Sequence, residues 1–429
     1  MKNNNKLALF GGPKTFKEKV IITNTIGKEE ISAVNAVMKS GVLSKFLGEY
    51  DSDFFGGPKV LEFEDKICKF FKVKHAITVN PWSSGLTVAV GAIGIEPGDE
   101  VIVPTWTMTA SATAILHWNA IPVFADIELD TFNVDPKSIK KNITKRTKAI
   151  MSVDIFGHSA NMIEILKIAK KYNLKVISDT AQAICSKYHG KYSGTLSDIG
   201  GFSFNYHKHI HTGEGGVLIT NDDKLALKMK MIRNHAEAVV SDFKIKNISN
   251  MIGNNFRMGE IEAAIGICQL RKLKKIVLSK QKQANLLIKG LKNLKGLRLP
   301  KTLKGCTHSY YAFPMLVNEK ITGVTRDKIY DALIAEGVPA LAKDYSKLHL
   351  LPIYQKKIAY GTKGYPWTGD NYKGKVNYKK GICPNAEFIS EKSYINFGIC
   401  LYELNNKKID KIIDSFHKVW SNLDKLKSK

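Results

Sequence analysis

Residues 75–104 read HAITVNPWSSGLTVAVGAIGIEPGDEVIVP. Two short, almost uninterrupted apolar runs, HAITV (75–79) and EVIVP (100–104), flank a stretch that reads as a helix over 84–94. Strands of this kind are buried on both faces, and joining them through a helix makes them parallel. The same alternation continues downstream. Strands are predicted at IPVFADI (121–127), KAIMSV (148–153), LKVISD (174–179), GGFSF (200–204) and GVLIT (216–220), with helical runs at 108–119, 135–141 and 160–172. Such a series predicts an α/β fold: a mostly parallel sheet flanked by helices on both faces.

Upstream, 27–40 reads as a helix with Ile31, Val34 and Met38 on one stripe. Residues 43–59 read as a loop, and 59–71 as a helix with Val60, Phe63, Ile67 and Phe70 inward. Downstream, 258–276 predicts a helix leading into a second one at 277–293. After Gly296 the pattern changes: a strand at 308–317, a helix at 326–337 and a final amphipathic helix at 408–424 suggest a smaller α+β C-terminal domain. The expected division is an N-terminal segment (1–28), a large domain (29–275) and a small domain (276–429). Residues 343–382, rich in Tyr, Gly and Lys without periodicity, read as a functional loop.

The 429 residues carry a formal charge of +26, yet only six basic residues are arginine and 59 of the 65 are lysine. Arginine is the preferred reader of phosphates and base edges, so this balance argues against a nucleic-acid partner. The lysine excess would still attract anionic substrates at low salt. No apolar run approaches the ~20 residues a membrane helix needs, and Met1–Phe10 has no apolar core of a signal peptide. The six cysteines form no C-x-x-C pair and lie outside ligand spacing of a histidine pair. Their scatter suits a reducing cytoplasm and gives no zinc site.

Four segments carry candidate chemistry. Ser83-Ser84-Gly85, after the first strand, places free backbone N–H groups and a helix dipole at one spot; it reads as a phosphate cradle or as a plain helix cap. Asp179, in Ser178-Asp179-Thr180-Ala181-Gln182, closes a strand at the edge where α/β sheets bind ligands, or caps a helix. Lys208 stands among His207, His209 and His211 before the turn Thr212-Gly213-Glu214-Gly215-Gly216; a partly desolvated lysine near other cations suits a Schiff-base amine. No carboxylate–histidine or His-x-x-x-His pattern supports a metal there. Gly253-Asn254-Asn255-Phe256-Arg257 precedes a helix and can serve an anion or cap that helix.

Taken in order, these segments resemble the DegT/DnrJ/EryC1/StrS family of pyridoxal-phosphate (PLP) sugar aminotransferases, over about residues 20–425. FSF…K…TGEGG, GNNFRM…EIEAA and Cys383-Pro384-Asn385-Ala386-Glu387 carry the likeness. The resemblance implies fold type I, the architecture of aspartate aminotransferase. It also implies a Schiff base between Lys208 and PLP, and Asp179 on the pyridine nitrogen. Gln182 would meet the 3-hydroxyl oxygen. Ser84, Gly85 and Ser203 would hold the phosphate, with Asn255 reaching it from the second subunit of a homodimer that shares its sites. Met108 stands where an aromatic ring usually stacks on the cofactor, Leu86 where threonine is usual, Asp154 where histidine is frequent and Ser178 where glutamate is. Lysine at 208, rather than the histidine of the family's dehydratases, favours transamination.

The implied reaction carries an amino group from Glu or Gln to a keto sugar, nucleotide-linked, in the cytoplasm. A keto cyclitol is the alternative substrate, suggested by the long 343–382 segment and by Leu7-Ala8-Leu9-Phe10-Gly11-Gly12. A non-catalytic or regulatory protein on the same scaffold has only the +26 charge in its favour.

Overall fold

The computed structural model describes residues 5–427; the parts of the N-terminal reading and of the outer domain ranges that fall on 1–4 and 428–429 lie outside the described residues. Seven strands form the main sheet: β1 (His75–Val79), β2 (Glu100–Pro104), β3 (Ile121–Ala125), β4 (Thr147–Val153), β5 (Lys175–Asp179), β6 (Ile199–Ser203) and β7 (Gly216–Thr220). Their order is β1-β7-β6-β5-β4-β2-β3. Only β7 runs against its neighbours β1 and β6; the other pairs are parallel. The reason lies in the connections. Helices α3 (Trp82–Ala92), α4 (Ala110–Leu116) and α5 (Met162–Tyr172) carry the chain back between parallel strands, whereas β6 reaches β7 through the glycine-rich turn. This is the aspartate-aminotransferase-like, fold type I sheet implied by the resemblance. The carboxyl ends of β1, β5 and β6 therefore lie along one edge of the sheet, with β7 between β1 and β6, at the place where such sheets receive ligands.

Helix α1 (Lys28–Ser40) differs in its facing. It buries Val37 and Glu30, while Ile31 and Met38 are exposed. Glu30 accepts from Lys272 Nζ at 2.6 Å and from Gln269 Nε2 at 2.8 Å, so a polar tie, not the apolar stripe, holds the helix to the body. Helix α2 (Pro58–Phe71) follows expectation more closely: Val60, Phe63 and Ile67 are buried, and Phe71 replaces Phe70 as the last inward ring.

Where two helices were expected over 258–293, one continuous helix, α6 (Glu260–Leu291), runs for 32 residues, roughly 48 Å at 1.5 Å per residue. Its first half packs Ala263, Ile267, Leu270 and Val277 against Phe202, Phe204 and Val217. Its second half packs Ala284, Leu287 and Leu291 into a separate core with Phe313, Phe397, Ile409 and Phe416, which Leu7 and Phe16 from the N-terminal segment also enter. That second core lies on an antiparallel sheet, β8 (Leu297–Arg298), β9 (Phe313–Val317), β10 (Leu341–Ala342) and β11 (Tyr394–Phe397), in the order β8-β9-β11-β10. The strand expected from His308 begins only at Phe313, because Tyr310 takes a left-handed φ of 53°. Among the described residues no helix is long and apolar enough to cross a membrane.

Candidate active site

A cavity of about 440 Å³ opens at the carboxyl ends of β1, β5 and β6, within the usual size range of small-molecule sites. Asp179, the last residue of β5, lies on its floor and is 5% exposed. Its Oδ1 accepts from Trp82 Nε1 at 2.8 Å and from the Ala181 amide at 3.2 Å, and its Oδ2 accepts from Ser111 Oγ at 2.8 Å. Three donors fix this carboxyl group in direction, leaving lone pairs free toward the cavity.

Trp82 reaches Asp179 because three glycines make way for it. A Cβ on Gly201 would stand 2.2 Å from the indole, one on Gly85 2.8 Å, and one on Gly216 2.7 Å from the Trp82 Cα. Trp82 is also the first residue of α3, whose N-terminus at Pro81 has no side-chain cap. The first amides of that helix are therefore open to an anion. This start puts the open amides ahead of Ser84 and Gly85. The Gly85 amide already donates to the Pro81 carbonyl at 3.3 Å, and a Cβ at this position would press on Trp82 and Val79. Ser84 lines an adjoining cavity of about 670 Å³ with Asn254 and Phe256. Ser83, which lines both cavities, is the serine nearer the open amides at the start of α3.

Lys208 follows β6 in a turn closed by its amide on the Asn205 carbonyl, at 2.9 Å. Its Nζ lies 4.5 Å from the centre of the Tyr311 ring, and among the described residues it has no hydrogen-bond acceptor. Burial pushes its pKa down to about 8, against the opposing pull of Asp179 and Cys400. The neighbouring histidines separate. His207 lines the cavity, with its pKa pushed to about 4 by burial and by Lys208. His209 is buried and meets the Ser309 carbonyl at 2.8 Å. His211 stays outside the cavity.

Ser203 and Met108 both line the cavity. Gln182 does too: its Oε1 accepts from the Phe156 amide at 2.8 Å, and its Nε2 donates to Tyr345 Oη at 3.2 Å. Asn255 is exposed, lines neither cavity and sits in a backbone bridge with Asn234. It lies five residues from the start of α6, which Gly259 caps, so the helix-cap reading of Asn255 is set aside. Asp154 is buried beneath the site, accepting from the Ala160 amide and from Thr180 Oγ1 at 2.7 Å each; burial raises its pKa to about 6.

Sequence reasoning missed Trp82, Ser111, Tyr311, Tyr345, Tyr394 and Asn396. Trp82 adjoins the serines already singled out, and Tyr345 opens the Tyr-rich loop. That loop meets the cavity only through Asp344 and Tyr345. The rest packs over the sheet edge, where Tyr372 Oη donates to Glu100 at 3.1 Å and Tyr378 Oη to the Pro122 carbonyl at 2.7 Å.

Residues 24–379 match the model of the DegT/DnrJ/EryC1/StrS aminotransferase family. The chain belongs to that family. It is accordingly an enzyme, of the PLP-dependent aminotransferase class. GDP-perosamine synthase of Caulobacter vibrioides is 37% identical to this aminotransferase over 300 residues, 70% of this chain and 79% of that protein. A Streptoalloteichus tenebrarius protein, provisionally named as an L-glutamine:3-amino-2,3-dideoxy-scyllo-inosose aminotransferase, is 27% identical over 98% of this chain and 99% of its own. Among solved structures, S. venezuelae DesV superposes with a TM-score of 0.75 at 27% identity, over 90% of this chain and 93% of that one.

Proposed function

We propose that this aminotransferase carries the amino group of glutamate or glutamine to the keto carbon of a nucleotide-linked sugar, using PLP held by Lys208 and Asp179. The observation that carries the reading is the pairing of a desolvated, acceptor-free amine with a fixed carboxylate in one cavity. These groups fit PLP: an amine for its aldehyde, an anion for its ring nitrogen and an uncapped helix end for its phosphate. When bound, PLP supplies a carbonyl that condenses with amines and a ring that withdraws electrons from the adjacent carbon.

The residues divide that work. Lys208, with its lowered pKa, is available as a neutral nucleophile near neutral pH, and its Nζ, once released, takes and returns the proton of the carbon exchanging its amine. Asp179 stabilises positive charge on the ring nitrogen. The first amides of α3, together with the hydroxyls of Ser83 and Ser203, hold the phosphate. Gln182 Nε2 turns to the ring hydroxyl oxygen, and Met108 covers a ring face with its thioether.

A second copy of the chain completes the site, Asn255 reaching across to the phosphate. The exposure of Asn255 and of Ile31, Met38, Met108 and Ile252 supports this homodimer. The scattered free cysteines accord with work in a reducing cytoplasm. A keto cyclitol is the second substrate reading, favoured by the relative that matches the chain along nearly its whole length. The test is direct. Protein loaded with PLP shows a visible absorbance band, borohydride fixes the label, and peptide mapping finds it on Lys208. Label on another lysine refutes the assignment, and turnover of inosose ketones but not nucleotide-linked ones selects the second reading.

A further inference from the structure

The far wall of the cavity comes from the small domain. Tyr394 and Asn396, two apart on β11 and so on one face of the strand, both line it. Tyr394 is fully buried, T-shaped against Trp106 at 5.2 Å and stacked on Phe156 at 5.9 Å, yet its hydroxyl has no hydrogen-bond partner. The Asn396 Oδ1 is likewise buried and unpartnered. Buried polar atoms are nearly always paired, and leaving one unpaired is destabilising. Two such atoms on one wall, a hydroxyl able to donate and a carbonyl able to accept, mark a place for a ligand that does both.

The charge of the wall narrows the ligand. Among the described residues Lys208 is the only lysine or arginine lining the cavity, whereas Asp179, Glu214 and Asp344 all do. In a chain of net charge +26 this is an acidic enclave. Asp344 is exposed and unpaired at the small-domain end, so a phosphate placed there would meet a carboxylate and no cation. Aromatic rings, Tyr345 stacked on Trp106 at 5.2 Å and Tyr311 beneath Lys208, give the flat apolar sides that a six-membered ring packs against.

We propose that Tyr394 and Asn396, boxed by Tyr311 and Tyr345, form the subsite for an uncharged, polyhydroxylated six-membered ring. Tyr394 donates to one ring oxygen and Asn396 accepts from a ring hydroxyl. Any diphosphate attached to that ring lies outside the cavity. This rests on the aminotransferase reading above and adds the recognition element for the amino acceptor.

Tyr394→Phe is the discriminating variant, because it removes only an unpartnered hydroxyl. Thermal unfolding of the cofactor-free chain reports on folding, and calorimetric binding of myo-inositol to that chain reports on the subsite without turnover. The expected result is an unchanged or raised melting temperature, with myo-inositol affinity down at least tenfold in Tyr394→Phe and in Asn396→Ala. In the loaded enzyme, KM for scyllo-inosose or for a GDP-linked 4-keto-6-deoxyhexose rises by a similar factor, while the glutamate half-reaction stays within twofold. The ketone that responds tells a free cyclitol from the sugar end of a nucleotide conjugate. Unchanged affinity and KM in both variants overturn the subsite, as does an equal loss in both half-reactions. An intact wild-type glutamate half-reaction in that case leaves the aminotransferase reading standing, whereas its absence removes that reading instead.

Discussion

Replacing Lys208 by methionine keeps the length of the side chain and removes its charge. The wild-type amine is pushed from the usual 10.5 to about 8 by burial, so the ammonium form is disfavoured in the folded chain relative to the unfolded one. At ~1.4 kcal/mol per pKa unit the full shift corresponds to about 3 kcal/mol, reduced to about 2 kcal/mol because part of the side chain is open to the cavity. The sign follows from proton counts. Below pH 8 both states hold the proton and the destabilisation is complete. Between 8 and 10.5 the unfolded chain binds more protons than the folded one, so stability rises with pH and the penalty fades. Cofactor-free Lys208→Met should therefore be about 2 kcal/mol more stable than wild type at pH 7 in urea unfolding, and the gap should close by about pH 10. A variant no more stable than wild type at pH 7, or a gap of the same size at both pH values, refutes the reasoning. A positive result means that folding energy is held in reserve to keep an amine reactive, the familiar opposition between stability and activity.

Further outcomes follow from the same geometry. Asp179→Asn keeps an acceptor for Trp82 and should fold and bind PLP, but without the negative charge single-turnover transamination should fall by several kcal/mol of barrier; near-normal turnover contradicts the role. Mixing inactive Lys208→Ala and Asn255→Ala chains under conditions of subunit exchange should restore activity, since one site of the heterodimer escapes both changes. Zero activity with exchange verified by mass, and both parents folded, places the two residues in the same subunit's site.

The main sheet was legible in the sequence because each strand announces itself within five or so residues, and Lys208 and Asp179 because each closes such a strand or its turn. What escaped depends on distant convergence. Trp82 meets Asp179 across 97 positions, and Tyr394 enters the cavity from another sheet; nothing local to either residue encodes the meeting. The helix start was read about two residues late: with Pro81 at the N-cap, α3 begins at Trp82, and the open amides precede the glycine that drew attention. The long helix α6 was read as two because its apolar stripe changes partners near Val277, passing from one core to the other without a glycine or proline to break it.

The glycines around Trp82 bear on how this sequence can have changed over time. A Cβ at Gly85 would stand 2.8 Å from the indole and would be far less crowded beside a small residue at position 82, whereas one at Gly201 also meets the Val217 carbonyl at 2.3 Å and one at Gly216 meets the backbone of residue 82. Gly201 and Gly216 are therefore held by neighbouring backbone whatever stands at position 82, whereas Gly85 had to be in place before the tryptophan could settle and could not drift afterwards without first losing it. Positions 82 and 85 thus form a ratchet, in which the order of substitutions matters more than their identities, inside a frame that two other glycines keep fixed.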